Sequence, residues 1–248
     1  ARKERVRQRL EDELADPETI AACGKHYAGY SGTQGGRDSS EADLSERALR
    51  SIYLPPFRAA VEAGCATLMA GYQAIDGTPC SANHWLLTEV LREEWGFEGF
   101  VVSDWKNVEH MNDEQRVSSD LADAARRVVM AGNDMAMNTP GFTDLVIHLV
   151  ERGNLDEEFV DQAVRNVLGL KFALGLFDGN RYADLERGPQ VIGTAAHRAV
   201  ARESACQSLV LLKNEGAFLP LGDGVKRFLA AQERFQQEMR TQPFDVQR

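Results

Sequence analysis

The chain has 248 residues, 43% of them hydrophobic and 27% charged, enough to bury a sizeable core in one large α/β domain or in a domain and a fragment. Its formal net charge of −10 argues against a nucleic-acid or anionic-membrane surface and is indifferent to a neutral substrate such as a sugar. No run of about 18 apolar residues occurs, so no membrane span is expected. The four cysteines, Cys23, Cys65, Cys80 and Cys206, form no Cys-x-x-Cys pair and are read as reduced, semi-buried thiols.

Residues 1–16 are charged and read as a solvated helix. They lack the apolar core of a signal peptide, so a cytoplasmic location is the expectation. The segment 19–30 is apolar and small and ends in Lys25-His26-Tyr27-Ala28-Gly29-Tyr30, the pattern of a buried strand entering a loop. That loop, 31–43, is rich in Gly and Ser and carries Gly35-Gly36-Arg37-Asp38. Ser45 is a good N-cap for a following helix, which Pro55-Pro56 should break or restart. Residues 65–72 read as the next strand. Leu86, Leu87, Val90 and Leu91 then recur at helical spacing between Trp85 and Trp95. Residues 99–105 give a short apolar strand ending in Ser103-Asp104-Trp105. A helix over 121–131 precedes a strand over 134–137. Thr139-Pro140 reads as an N-cap with a first-turn proline, opening a helix to residue 152. Another helix starts near Asp156 and runs through Lys171 towards Gly175.

Beyond Tyr182 the alternation stops. Residues 188–193 are loop-like. A helix over 195–206 runs into Ser208-Leu209-Val210-Leu211-Leu212-Lys213-Asn214, a buried-strand pattern, and the tail from Gly224 is polar and helical in composition.

Strand followed by helix, four times over, implies a parallel sheet with helices outside. Lys25 with His26, Tyr72, Asp104 and Asp134 fall at successive strand ends, where parallel α/β folds place their chemistry. Four strands cannot close an eight-stranded barrel, which typically takes about 250 residues. Half a barrel is the natural reading.

Several residues remain open on local grounds. Asp104 is as readily a helix cap as a catalytic carboxylate. Lys25 and His26 are either a surface lysine beside a packed histidine or a pair of donors for sugar hydroxyls, with Lys25 also able to hold Asp104 ionised. Met69 and Tyr72 read as core and rim. Trp105 either packs in the core or offers an indole face to a pyranose. Arg37 reaches a pocket or pairs with Asp38. Asp134 reads as a structural hydrogen-bond acceptor, and Trp85 and Trp95 as helix-packing residues. No metal site is expected.

The ordered stretches Lys25-His26-Tyr27-Ala28-Gly29-Tyr30, Gly35-Gly36-Arg37-Asp38, Leu44-Ser45-Glu46-Arg47 and Tyr53-Leu54-Pro55-Pro56-Phe57 resemble glycoside hydrolase family 3. So do Trp95-Gly96-Phe97, Gly99-Phe100-Val101-Val102-Ser103-Asp104-Trp105, Ala131-Gly132-Asn133-Asp134-Met135 and Leu209-Val210-Leu211-Leu212-Lys213-Asn214. The resemblance runs over about residues 16–228. It implies an α/β fold: the second half of a (β/α)8 TIM-type barrel over 17–180, then over 181–228 an interdomain linker and the start of a missing α/β sandwich domain. Residues 1–16 and the divergent polar tail 229–248 do not share it.

The same resemblance implies a retaining β-glucosidase with Asp104 as nucleophile and no cofactor. Lys25, His26, Tyr72, Trp105, Met69 and Arg37 would bind a small-molecule or oligosaccharide β-glycoside, and Tyr72 would hydrogen-bond the nucleophile. Lys25, His26, Tyr72, Asp104 and Trp105 should line one concavity. The family's sugar-gripping Asp and Arg and its usual acid/base Glu find no counterpart. Gly29-Tyr30-Ser31-Gly32 lacks the acid/base His of the N-acetylglucosaminidase subgroup, and Asp38, Glu41 and Asp43 are the first in-chain candidates for an acid. Many xylosidases of the family carry Cys where this chain has Trp105, which favours glucosidase; a β-xylosidase or a truncated, non-catalytic piece are the alternatives. Neither nucleic acid nor membrane is an expected partner, and exposed barrel edges would favour self-association.

Overall fold

A computed structural model describes residues 20–178, 182, 184–217 and 219–241. The expected helix at the N-terminus lies outside the described residues. The chain divides into two compact units, Ala1–Tyr182 and Ala183–Arg248.

The first unit is built on a four-stranded, wholly parallel sheet. Its strands are β1 (Cys23–Tyr27), β3 (Thr67–Ala70), β6 (Phe100–Trp105) and β7 (Met135–Met137), side by side in that order. A second, small sheet joins β2 (Glu41–Ala42), β4 (Ala74–Ile75) and β5 (Thr78–Pro79), none of which the sequence pattern announces. Period-two alternation sorts the strand residues into two faces. Leu68 and Val101, in register with each other, face the helices and are fully buried. There they meet Leu86, Leu87, Val90 and Leu91 of the π-helix Trp85–Glu94, with Tyr27, Leu49 and Leu54 completing the same core. Full burial of each leucine contributes roughly 1.5–3 kcal/mol. Gly99 lets β6 enter this layer: a Cβ there would fall 2.0 Å from the Ala66 carbonyl oxygen.

The helices follow the sequence with instructive departures. Ser45 caps α1 (Glu46–Ala48), accepting the Ala48 N–H at 3.2 Å. Pro55-Pro56 do not break the helix. A π-helical stretch, Leu49–Tyr53, precedes them, and the Leu54 N–H reaches back to the Leu49 carbonyl. This wider turn absorbs the prolines' missing donors, and α2 (Leu54–Ala63) starts on them, where a proline is tolerated. A helix not foreseen, α3 (Asn107–Asp113), follows β6 directly. Asp120 caps α4 (Leu121–Met130) through the Asp123 N–H. Thr139 is not the cap of α5 (Phe142–Glu151): Gly141, in the left-handed region at φ 77, takes that place, and the Thr139 hydroxyl donates to Glu109 instead. Asp156 caps α6 (Glu157–Ala173) as its sequence suggests.

In the second unit, 188–193 is not simply a loop, because Pro189 sits in the first turn of a short helix, α7 (Gly188–Val191). Helix α8 (Ala195–Ser208) is capped by Thr194, and α9 (Asp223–Thr241) occupies the tail. The expected buried strand does not form. Residues 209–212 carry no strand pairing, and Leu209, Val210, Leu211 and Leu212 are 81%, 76%, 63% and 91% exposed. An extended apolar run is buried only if a sheet receives it, and none among the described residues does. The thiols are free, but only Cys65 and Cys80 are sheltered; Cys23 and Cys206 are exposed, not semi-buried. Among the described residues no helix is long and apolar enough to cross a membrane.

Candidate active site

The face of the sheet opposite the helices carries the polar residues. Met69 is in register with Val102, which puts it on the same face as Asp104 two residues further on; it is half-buried there. Two register shifts then aim the site. Between Gly24 and Tyr27, β1 carries one residue more than β3, so Tyr27 returns to the helix side while Lys25 and His26 lie between. Between Val102 and Trp105, β6 likewise carries one residue more than β7. Bulges of this kind re-aim side chains beside functional sites. Both occur where β1 and β6 supply their polar residues.

Asp104 is the centre of the cluster and only 7% exposed. Its Oδ1 accepts the N–H of Trp105 at 2.7 Å. Its Oδ2 is buried and lacks a hydrogen-bond donor, with His26 Nε2 facing it at 3.3 Å in a geometry that makes no hydrogen bond. Buried polar atoms are nearly always satisfied, and this is the one carboxylate oxygen among the six buried, unpartnered side-chain atoms of the described residues. Burial holds His26 below the ordinary imidazole range, with Lys25 adding to it, although Asp104 and Asp38 pull the other way. A neutral imidazole therefore faces Asp104 at neutral pH. The Tyr72 hydroxyl donates to the neighbouring Trp105 carbonyl at 2.9 Å rather than to Asp104. Burial first, and then Asp104, push its phenol up to about 12.

The structure thus gathers His26, Tyr72, Asp104 and the Trp105 backbone at the carboxyl end of the sheet, with the Trp105 side chain 55% exposed. Lys25 sits at the same end but is exposed and makes no ion pair with Asp104; His26 holds that position. Arg37 is exposed in its loop and does not pair with Asp38, whose carboxylate takes the Tyr30 hydroxyl. Two clefts of about 310 and 400 Å³ lie elsewhere, one lined by Pro79, Met111 and Arg126, the other by Met135, Val146 and Val164. The residues converge, but Asp104 lines neither of these concavities.

Asp134 is not at the same end as Asp104. It precedes β7, accepts the Val101 N–H at 2.7 Å near the start of β6, pairs with Arg92 at 2.6 Å and accepts Asn166 at 2.8 Å. The strand begins after it rather than with it. Its structural role is as read from the sequence, at the opposite, amino end.

Local sequence reading missed the residues that support the cluster. Asn107, fully buried, donates to the Gly71 carbonyl at 3.0 Å and to Ser81 at 2.6 Å, fixing the chain just before Tyr72. Gln115 donates to the Tyr72 carbonyl at 2.9 Å. His110 stacks on Tyr72, and Tyr30 on His26. These contacts join residues up to 43 positions apart and leave no local signal. No group of three His, Cys, Asp or Glu among the described residues is arranged to hold a metal ion.

Comparison with known proteins gives this geometry a context. Residues 7–170 match the model for the glycosyl hydrolase family 3 N terminal domain. A β-xylosidase of Formosa agariphila is 35% identical over 218 residues, covering 85% of this chain and 30% of that protein. A solved β-glucosidase involved in saponin metabolism from intestinal bacteria is 48% identical with a TM-score of 0.72, over 83% of this chain and 27% of that one. The β-glucosidase of Listeria innocua, solved with glucose, is 34% identical with a TM-score of 0.73, over 86% and 29%. The chain spans under a third of the length of the curated relatives it matches.

Proposed function

The chain belongs to glycosyl hydrolase family 3, and on that premise we propose that it carries the nucleophile of a retaining β-glucosidase, Asp104, on the second half of a (β/α)8 barrel. Residues 17–180 supply the barrel strands. Residues 181–228 would be the linker and the start of a sandwich domain, with 229–248 a divergent tail. The observation that carries the reading is the Asp104 carboxylate: buried at the carboxyl end of a parallel sheet, with Oδ1 fixed by the Trp105 N–H and Oδ2 free of any donor.

One oxygen is anchored and the other is available to form a bond. In the proposed reaction Oδ2 attacks the anomeric carbon as the glycosidic C–O bond breaks, and the leaving oxygen takes a proton from a carboxylic acid supplied by residues outside this chain. Water then cleaves the glycosyl ester and returns the proton to that acid. His26 and Lys25 would donate to sugar hydroxyls, Tyr72 would hold the nucleophile, and the exposed indole of Trp105 would meet the apolar face of the sugar, with Met69 beside it and Arg37 reaching in from its loop. A β-glucoside is preferred to a β-xyloside because Trp105 stands where many xylosidases of the family carry Cys.

Asp104→Ala should reduce hydrolysis of an aryl β-glucoside by more than about 10⁴-fold, in line with the loss of other nucleophiles. Azide should restore part of the rate to that variant as a glycosyl azide of inverted configuration. An Asp104→Asn enzyme with unchanged turnover would assign the nucleophile elsewhere.

A further inference from the structure

The loop leaving β1 reaches Asp104 by two separate routes through two neighbouring residues. On one route the Asp38 carboxylate takes the Tyr30 hydroxyl, and Tyr30 stacks on His26 with ring centroids 4.6 Å apart and 26° between planes. His26 in turn faces Asp104 Oδ2 at 3.3 Å. On the other, Ser39 Oγ lies 3.3 Å from His110 Nδ1, and His110 stacks on Tyr72 at 5.4 Å and 26°. Tyr72 donates to the carbonyl of Trp105, the residue next to Asp104. Gln115 joins loop and strand end directly, donating to the Ser39 carbonyl at 3.3 Å and the Tyr72 carbonyl at 2.9 Å. Ser39 adopts φ 58, the left-handed region that non-glycine residues seldom occupy.

We propose that Asp38 and Ser39 form a paired positioning device: through Tyr30 and His110 they hold the two aromatic stacks that fix the Asp104 carboxylate. The proposal rests on the reading of Asp104 as nucleophile. Each tether removes rotational freedom from an aromatic ring whose partner touches Asp104, in the case of His26, or the carbonyl of the next residue, in the case of Tyr72. A nucleophile displaced by about 1 Å can lose about 10²-fold in rate, so a partial loosening should cost about tenfold. Ser39→Ala, whose stack carries no proposed sugar contact, should leave binding of the sugar little changed, whereas Asp38→Ala, which loosens His26, should weaken it as well.

The test follows covalent labelling of Asp104 in the full chain by 2,4-dinitrophenyl 2-deoxy-2-fluoro-β-glucoside, whose leaving group needs little acid assistance. Mass spectrometry reads the rate against reagent concentration. Asp38→Ala and Ser39→Ala should each lower the limiting rate about tenfold, with the half-saturating concentration shifting less than about twofold for Ser39→Ala and rising for Asp38→Ala through His26. Asp38→Asn, which keeps an oxygen acceptor for Tyr30, should recover most of the rate. Unchanged limiting rates, or a loss that appears only in half-saturation, would overturn the proposal.

A second measurement needs no reagent. With 3-fluorotyrosine incorporated, ¹⁹F resonances assigned by Tyr30→Phe and Tyr72→Phe report each stack. Asp38→Ala should move the Tyr30 titration to lower pH, and Ser39→Ala should displace the Tyr72 titration through the loosened His110 stack. Absence of labelling in the unaltered chain would count against Asp104 as nucleophile. The tyrosine resonances would then decide the device alone, and two unmoved titrations would refute it.

Discussion

The two units of the chain treat similar apolar sequence in opposite ways. In the first, Leu86, Leu87, Val90 and Leu91 lie fully buried between a helix and a parallel sheet. In the second, the equally apolar run Leu209 to Leu212 stands exposed, and none of the residues described there is buried. The difference is not composition but the presence of a receiving layer. An apolar stripe stabilises a fold only in proportion to the area that another element removes from water. The same holds for charge. Arg92 and Asp134 form a largely sheltered pair, 18% and 3% exposed, with further hydrogen bonds, whereas Lys226 and Asp223 meet at 3.2 Å with 65% and 82% of their side-chain surface exposed.

Substitutions can break that comparison. Arg92→Ala should cost about 3–5 kcal/mol, because it strands a buried carboxylate. Burial already raises the Asp134 pKa against the pull of Arg92, so the pair begins under a desolvation cost. Lys226→Ala should change stability by no more than about 1 kcal/mol. Urea denaturation of the full chain measures both, and equal effects would remove the distinction. Leu91→Ala should cost about 2–5 kcal/mol, against about 0.5 kcal/mol or less for Leu211→Ala. A loss above about 2 kcal/mol at Leu211 would mean that the run is covered in solution.

The smallest effect concerns pH. Burial, helped by Lys25, lowers the folded pKa of His26 below its ordinary value of 6.5. The folded state therefore binds its proton less readily than the unfolded state. The resulting stabilisation is complete above about pH 6.5 and is lost as pH falls through the folded value. Between pH 7 and pH 5, His26→Phe should show a shallower fall in stability than the unaltered chain. A parallel pair of curves would show that His26 does not carry this dependence.

Most of the first unit was legible in the chain. The alternation of short apolar strands with helices gave the parallel sheet, and Asp104, His26, Lys25 and Tyr72 emerged from strand ends. Asp134 was legible as structural but not as to its end of the sheet, because a strand's first residue is invisible to periodicity. Pro55-Pro56 read as a break or a restart, and the helix restarts on them; the π-helical turn that precedes them has no local rule to foresee it. Thr139 met the rule for a cap yet is engaged with Glu109, a residue 30 positions away.

By itself, the sequence determined the order and type of the main elements of the first unit, the helix stripe around Leu86 and Leu91, and the carboxylate at the end of β6. Those follow from period, capping and strand composition, which act over a few residues. Only the tertiary structure decided that His26 rather than Lys25 faces Asp104. It alone decided that Tyr30, Asp38, Ser39 and His110 gather behind the site, and that the run at Leu209 stays uncovered. Each of these depends on register shifts, or on layers present or absent, set by segments far apart in the chain, and a local pattern carries no record of them.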